Sequence, residues 1–201
     1  LDRYDVRLKY NTNFSQMKYK KLDALATWAK FEDVEVGASF DGYGKKAEYI
    51  RKGTDWDQIY QNRLKQKEIA PNVKFFVNFT LSVMNSLHII DFHHYAVESK
   101  LIDTYDNLHI NFVHSPEHMS LQALPPKLKE TVKTAYKKHI SFLKENSQNC
   151  SAAQFESSIS FMESEDKYIL NSKFKDYMKT LDDIRNESFI DTFPELKEML
   201  E

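Results

Sequence analysis

A single cysteine, Cys150, is the scarcest feature of this 201-residue chain. One thiol forms no internal disulfide and cannot by itself build a cysteine zinc or iron–sulfur site. A reducing cytoplasm is the expected compartment. A basic tail and any Lys/Arg block are also missing, and the formal net charge is −2, so nothing points to nucleic acid. The cluster Lys18 to Lys21 reads as a solvated face. No apolar run approaches the roughly 20 residues of a spanning helix, and no secretory signal pattern is present. No membrane partner is expected.

What is there suffices for a sizeable core: 41% hydrophobic residues, with 13% of the chain aromatic. The length fits one domain, or one domain with a helical extension. The chain opens at Leu1 and enters a strand-like segment almost at once, as expected of a piece whose beginning lies elsewhere.

Four segments alternate in the manner of half-buried strands: Val6 to Asn13, Val34 to Asp41, Val73 to Leu81 and Leu108 to His114. Helical spacing separates them. It is read at Leu22 to Phe31, at Asp55 to Lys67 with Trp56, Ile59, Tyr60 and Leu64 on one face, and from a Ser86 cap to about Lys100 with Leu87, Ile90, His94 and Val97 on one face. Pro125-Pro126 opens a long helix through Glu145. Two more helices follow, near Ser151 to Met162 and Lys173 to Asn186, and Phe189 to Glu201 is a docked tail. This order predicts an α/β chain with about four parallel βα units over residues 1–125 and a C-terminal helical extension over 126–201.

The strand faces differ. Val34, Val36, Ala38 and Phe40 oppose Glu35, Gly37, Ser39 and Asp41; Val73, Phe75, Val77, Phe79 and Leu81 oppose Lys74, Phe76, Asn78 and Thr80. The outer strands repeat the pattern, with Arg7, Lys9, Asn11 and Asn13 polar on one, and His109, Asn111 and Val113 opposing Leu108, Ile110 and Phe112 on the other. A doubly covered parallel sheet is apolar on both faces. Here helices are expected on one face, with the polar face lining a wet cavity as in an open barrel; the alternative is a two-layer sandwich with a solvated sheet face.

Several segments match one family in order and spacing. Tyr10-Asn-Thr-Asn13 resembles the Thr-Thr-Asn-Gly segment of radical S-adenosylmethionine enzymes, and Ser39-Phe-Asp-Gly42 resembles their Ser-x-Asp-Gly segment. Glu48-Tyr-Ile-Arg-Lys-Gly53 resembles the arginine segment between loop and helix, and Trp56 through Asn62 the helix after it. The third strand with Thr80 and Asn85 resembles the next strand and its Asn loop. Leu181 to Leu196 is similar to the ending of a subgroup common in marine phage and bacteria.

The resemblance implies a partial, TIM-like six-stranded (β/α) barrel, of which this chain would hold strands three to six. It implies S-adenosylmethionine and a [4Fe–4S] cluster as cofactors of the complete parent enzyme. The family's CxxxCxxC loop and Gly-Gly-Glu segment are not in this sequence, so a truncated, inactive fragment with no cofactor bound is expected. The cofactor-binding candidates carried over are Asn13, Ser39, Asp41, Arg51, Asn78 and Thr80; no catalytic and no metal residue is assigned. Asp41-Gly42 also reads as a turn, Arg51 as a partner for Glu48 or Asp55, and Asn13 as a strand-end cap.

Two other functions stay open: a noncatalytic α/β binding or assembly module, and a histidine metalloenzyme. His88, His93 and His94 share one helix, and His114 and His118 are four apart, but Pro116 separates the latter pair and there is no HExxH pattern. Cys150 reads as an ordinary thiol between helices. Phe14, Tyr43 and Trp56 read as packing residues. The uncovered edge of Val6 to Asn13 leads us to expect a homodimer through that strand.

Overall fold

A computed structural model describes residues 3–200. Strand β1 (Arg7–Thr12) leads into a hairpin of β2 (Lys18–Tyr19) and β3 (Leu22–Asp23), then the short helix α1 (Ala24–Trp28). β4 (Asp33–Ser39), α2 (Gly44–Ile50) and α3 (Trp56–Ile69) follow. β5 (Val73–Leu81), α4 (His88–Glu98) and β6 (Leu108–Phe112) complete the α/β part. Helices α5 (Pro126–Glu145), α6 (Asn149–Glu163), α7 (Asn171–Arg185) and α8 (Phe189–Thr192) close the chain.

The sheet runs β1-β4-β5-β6, and each neighbouring pair is parallel. This is the strand-helix order of a partial (β/α) barrel with C-terminal helices added. The apolar strand face is shut in: Val34, Val36, Ala38, Val77, Phe79 and Leu81 have no solvent exposure. The other face is open, and a groove of about 550 Å³ runs across all four strands. Burying the apolar residues against helices while the polar ones keep their water is what the alternation dictates.

The two ends of the sheet are treated differently. Beyond β6 lies α6, and its Gln154 acts as a substitute strand: Oε1 accepts the Ile110 amide at 2.6 Å and Nε2 donates to the Leu108 carbonyl at 2.9 Å. Phe112 stacks on Phe161 of the same helix at 4.4 Å. β1 pairs only with β4. On its apolar side Val6 and Tyr10 remain 40% and 43% exposed.

The C-terminal region shares the core. Phe174, Phe189, Phe193, Leu196 and Met199 join the same buried cluster as the strand residues, and Tyr136 of α5 donates its hydroxyl to the Ser86 carbonyl at 2.7 Å. Cys150 is exposed and sits in the first turn of α6 rather than in an interhelix segment. Among the described residues no helix is long and apolar enough to cross a membrane.

Some expectations need correction. The segment Leu22 to Phe31 starts as a hairpin strand and is helical only over five residues, because Lys20 turns the chain at φ 53°. Ser86 does not cap α4; its hydroxyl donates to the Val83 carbonyl, while Ser82 and Asn85 form a capping box on the preceding 3-10 turn. α3 buries Trp56 and Ile59 as expected, but then Asn62, Arg63 and Gln66, leaving Leu64 41% exposed. α4 buries His88, Ile89, Phe92, His93 and Ala96 rather than the face of Leu87, Ile90, His94 and Val97.

Candidate functional site

β4 ends at Ser39, and the chain turns through Asp41 and Gly42 into α2. Asp41 is only 6% exposed. Its Oδ2 accepts from Arg51 Nε at 2.6 Å, and its Oδ1 accepts the Thr80 amide at 2.8 Å. Asn85 tightens the junction by donating Nδ2 to the carbonyls of Asp41 and Thr80 at 3.1 and 3.0 Å. The loop after β4 is thus fastened to the end of β5, and the carboxylate is fully engaged inside the protein.

Arg51 follows the last turn of α2, with its amide on the Ala47 carbonyl. The other carboxylates expected to hold it are spent elsewhere: Glu48 accepts the Trp56 amide and Asp55 caps α3 through the Gln58 amide. With Nε on Asp41, the two terminal nitrogens meet no acceptor among the described residues. A guanidinium gripped from behind keeps its forked end for a second anion.

Arg51 lines a recess of about 250 Å³ together with Asn13, Ser15, Lys52, Gly53 and Thr54. The lining has two cationic side chains and no carboxylate. Lys52 is itself paired with Glu187. Asn13 holds its Oδ1 toward the amide and hydroxyl of Ser15, at 3.2 and 2.9 Å. A smaller crevice joins Asn13, Ser39, Asp41 and Arg51.

Of the six candidates, Asn13, Ser39, Asp41 and Arg51 therefore gather at the carboxyl ends of β1 and β4. Ser39, Asn78 and Thr80 line the open sheet groove, with Ser39 belonging to both groups. Asn78 Nδ2 donates to Asn11 Oδ1 at 3.0 Å. Ser15, Lys52 and Thr54 were not among the candidates, because loop closure rather than strand alternation brings them in. Asn11, His109 and Asn111 also line the groove, and their polar-face positions were legible in the strand pattern.

A larger hollow of about 650 Å³ lies between α2, the start of α4 and the segment before and within α8, and includes Tyr43, Tyr49, His88, Asp91 and Asp191. His88 is 3% exposed, accepts the Tyr43 amide at 3.4 Å, and is driven down to about 3 by burial and then by Lys46. Gly42 makes room for it: a Cβ there would stand 3.0 Å from the imidazole.

His93, His94 and His139 cluster between α4 and α5. His93 bonds His139 at 3.0 Å and the Tyr105 carbonyl at 2.8 Å, while His94 bonds the Tyr105 hydroxyl at 2.9 Å. Among the described residues no group of three His, Cys, Asp or Glu side chains is arranged to hold a metal ion.

No family model matches this chain. No curated protein matches it. Among solved structures it is similar to one described as native anSMEcpe with bound AdoMet, at 16% identity and a TM-score of 0.48. The match covers 72% of this chain and spans 38% of the length of that structure.

Proposed function

We propose that this chain is the later part of a radical S-adenosylmethionine enzyme and carries part of the S-adenosylmethionine site. One observation carries the reading: Asp41 holds the Arg51 guanidinium by Nε at 2.6 Å, its terminal nitrogens take no partner among the described residues, and Arg51 lines a carboxylate-free recess at the carboxyl ends of parallel strands. Ligands of α/β proteins bind at such ends. The residues fit the cofactor's amino-acid carboxylate, which Arg51 would clamp while Asn13 and Ser39 offer uncharged hydrogen bonds.

The residues do not fit the [4Fe–4S] cluster. One exposed cysteine supplies one of the several thiolates it needs. We assign the cluster ligands to a segment outside these 201 residues, which leaves this chain with binding and orientation alone. The substrate is assigned no identity. The ending at Leu181 to Leu196 supports membership of the marine phage and bacterial subgroup, and the scarcity of cysteine supports a cytoplasmic setting.

Calorimetry with S-adenosylmethionine tests the reading. Weak binding, no tighter than roughly micromolar and lost in Arg51→Ala, is expected. Binding indifferent to Arg51 overturns the site. An upstream reading frame without CxxxCxxC overturns the parent enzyme and leaves a noncatalytic binding module.

We also propose that two copies of this 201-residue chain by itself pair through the outer edge of β1, which the preceding strands would cover in the complete parent enzyme. The capped β6 edge and the exposed Val6 and Tyr10 support this choice of surface. Light scattering giving a clean monomer at high protein concentration excludes it.

A further inference from the structure

Gly37 sits in the middle of the sheet's polar face, and its missing side chain is filled by its neighbours. A Cβ at this position would lie 2.5 Å from Asn78 Nδ2, 2.8 Å from Asn11 Oδ1 and 2.8 Å from Cε2 of Phe76. Register explains the convergence: Gly37 is flanked directly by Asn11 on β1 and Phe76 on β5. Three side chains from two strands thus lean together over the third.

Their chemistry is complementary. Asn78 Nδ2 donates to Asn11 Oδ1 at 3.0 Å, which fixes both amide planes. The opposite ends, Asn11 Nδ2 and Asn78 Oδ1, have no partner among the described residues, which leaves one donor and one acceptor on two residues that line the groove. Next to them stands the Phe76 ring, 4.5 Å from the His109 ring and tilted 34° to it. The groove above is open to solvent.

We infer that this face binds the planar ring of a nucleoside, with the Asn11–Asn78 pair reading the base edge and Phe76 with His109 forming the stacking platform. A base edge offers adjacent acceptor and donor atoms, and ring stacking favours a base over an isolated amide. Charge selects a nucleoside rather than a nucleic-acid strand. Lys9, the cation in the groove, is paired with Glu35 at 2.8 Å, and Arg7 is held by the same carboxylate, so no free cation is left for a phosphate chain. The inference is independent of the Arg51 recess.

The test is an amide-resolved NMR titration with adenosine, cytidine, ribose and N-acetylglycine N-methylamide. Adenosine and cytidine should shift Gly37, Phe76 and Asn78, while ribose and the peptide amide leave them in place. Phe76→Leu should weaken nucleoside binding about 5- to 150-fold, the range of losing one base–aromatic stack. Asn11→Asp, which turns the free donor into an acceptor, should also weaken it. Both variants should melt as the parent does and keep any S-adenosylmethionine affinity. Absence of shifts at roughly millimolar nucleoside, or equal shifts with the peptide amide, overturns the site. Full displacement of adenosine by S-adenosylmethionine assigns the ring site to that cofactor and overturns a separate nucleoside site.

Discussion

Asp41 and Arg51 are ten residues apart and bound at 2.6 Å, with the buried carboxylate also holding the Thr80 amide at 2.8 Å. One residue therefore does two things: it closes the β4 loop onto β5 and aims a cation. Asp41→Ala should destabilise the fold by about 1–3 kcal/mol, because a buried amide loses its acceptor. Asp41→Asn keeps an oxygen for Thr80 and should cost less, while releasing Arg51. Urea denaturation of both variants checks the order, and equal losses would show that the Thr80 bond is not what matters.

Acid should loosen the packing of α4 against α5. The Tyr105 carbonyl can only accept, so His93 donates to it through Nε2 and accepts from His139 through Nδ1. Burial first, then for His139 the neighbouring His93 and His94, pushes these rings down to about 4 and about 3; Asp106 and the Tyr105 carbonyl pull His93 the other way. A histidine lowered in the fold binds its proton more readily when unfolded, so its stability contribution is whole above pH 6.5 and falls as pH drops toward 4. At pH 5 one such ring costs about 2 kcal/mol relative to pH 7. His139→Gln should flatten the difference between denaturation curves at those two pH values; an unchanged difference excludes the mechanism.

Gln154 stands in for a missing strand. Gln154→Leu removes both the acceptor for Ile110 and the donor for Leu108 and should cost about 1–3 kcal/mol. Hydrogen exchange should quicken at the Ile110 amide while the Val77 region stays protected. Unaltered protection at Ile110 would mean the helix covers the edge without this side chain.

Arg63 is 2% exposed, donates Nε to the Leu101 carbonyl at 2.7 Å, bonds Gln66, and lies 3.9 Å over the Phe75 ring. Burial lowers it to about 10. Arg63→Lys keeps the charge but loses the planar fork, and should destabilise by more than about 1 kcal/mol. A thermal melt matching the parent would refute this.

Strand alternation made the sheet legible, and β5 and α5 carry the ends expected of them, at Val73, Leu81, Pro126 and Glu145. The inward faces of α3 and α4 were not legible. Asn62 bonds the Phe14 and Ser15 carbonyls, Arg63 the Leu101 carbonyl, and Gln66 the Ala70 carbonyl. Three polar residues are buried because carbonyls distant or at the helix end need donors, a demand invisible to hydrophobic periodicity. The same limit applies at the site: Asp41 and Arg51 could be singled out, but their bond to each other depends on how Gly42 and α2 fold the chain back.

Capping β6 while leaving β1 exposed gives the sheet a valence of one. Strand addition is blocked at the end where Gln154 occupies the backbone groups, so two copies meeting edge to edge consume the only edge each has left among the described residues. The pairing proposed through this sheet would therefore terminate at two molecules, and an extended fibre would first require α6 to come away.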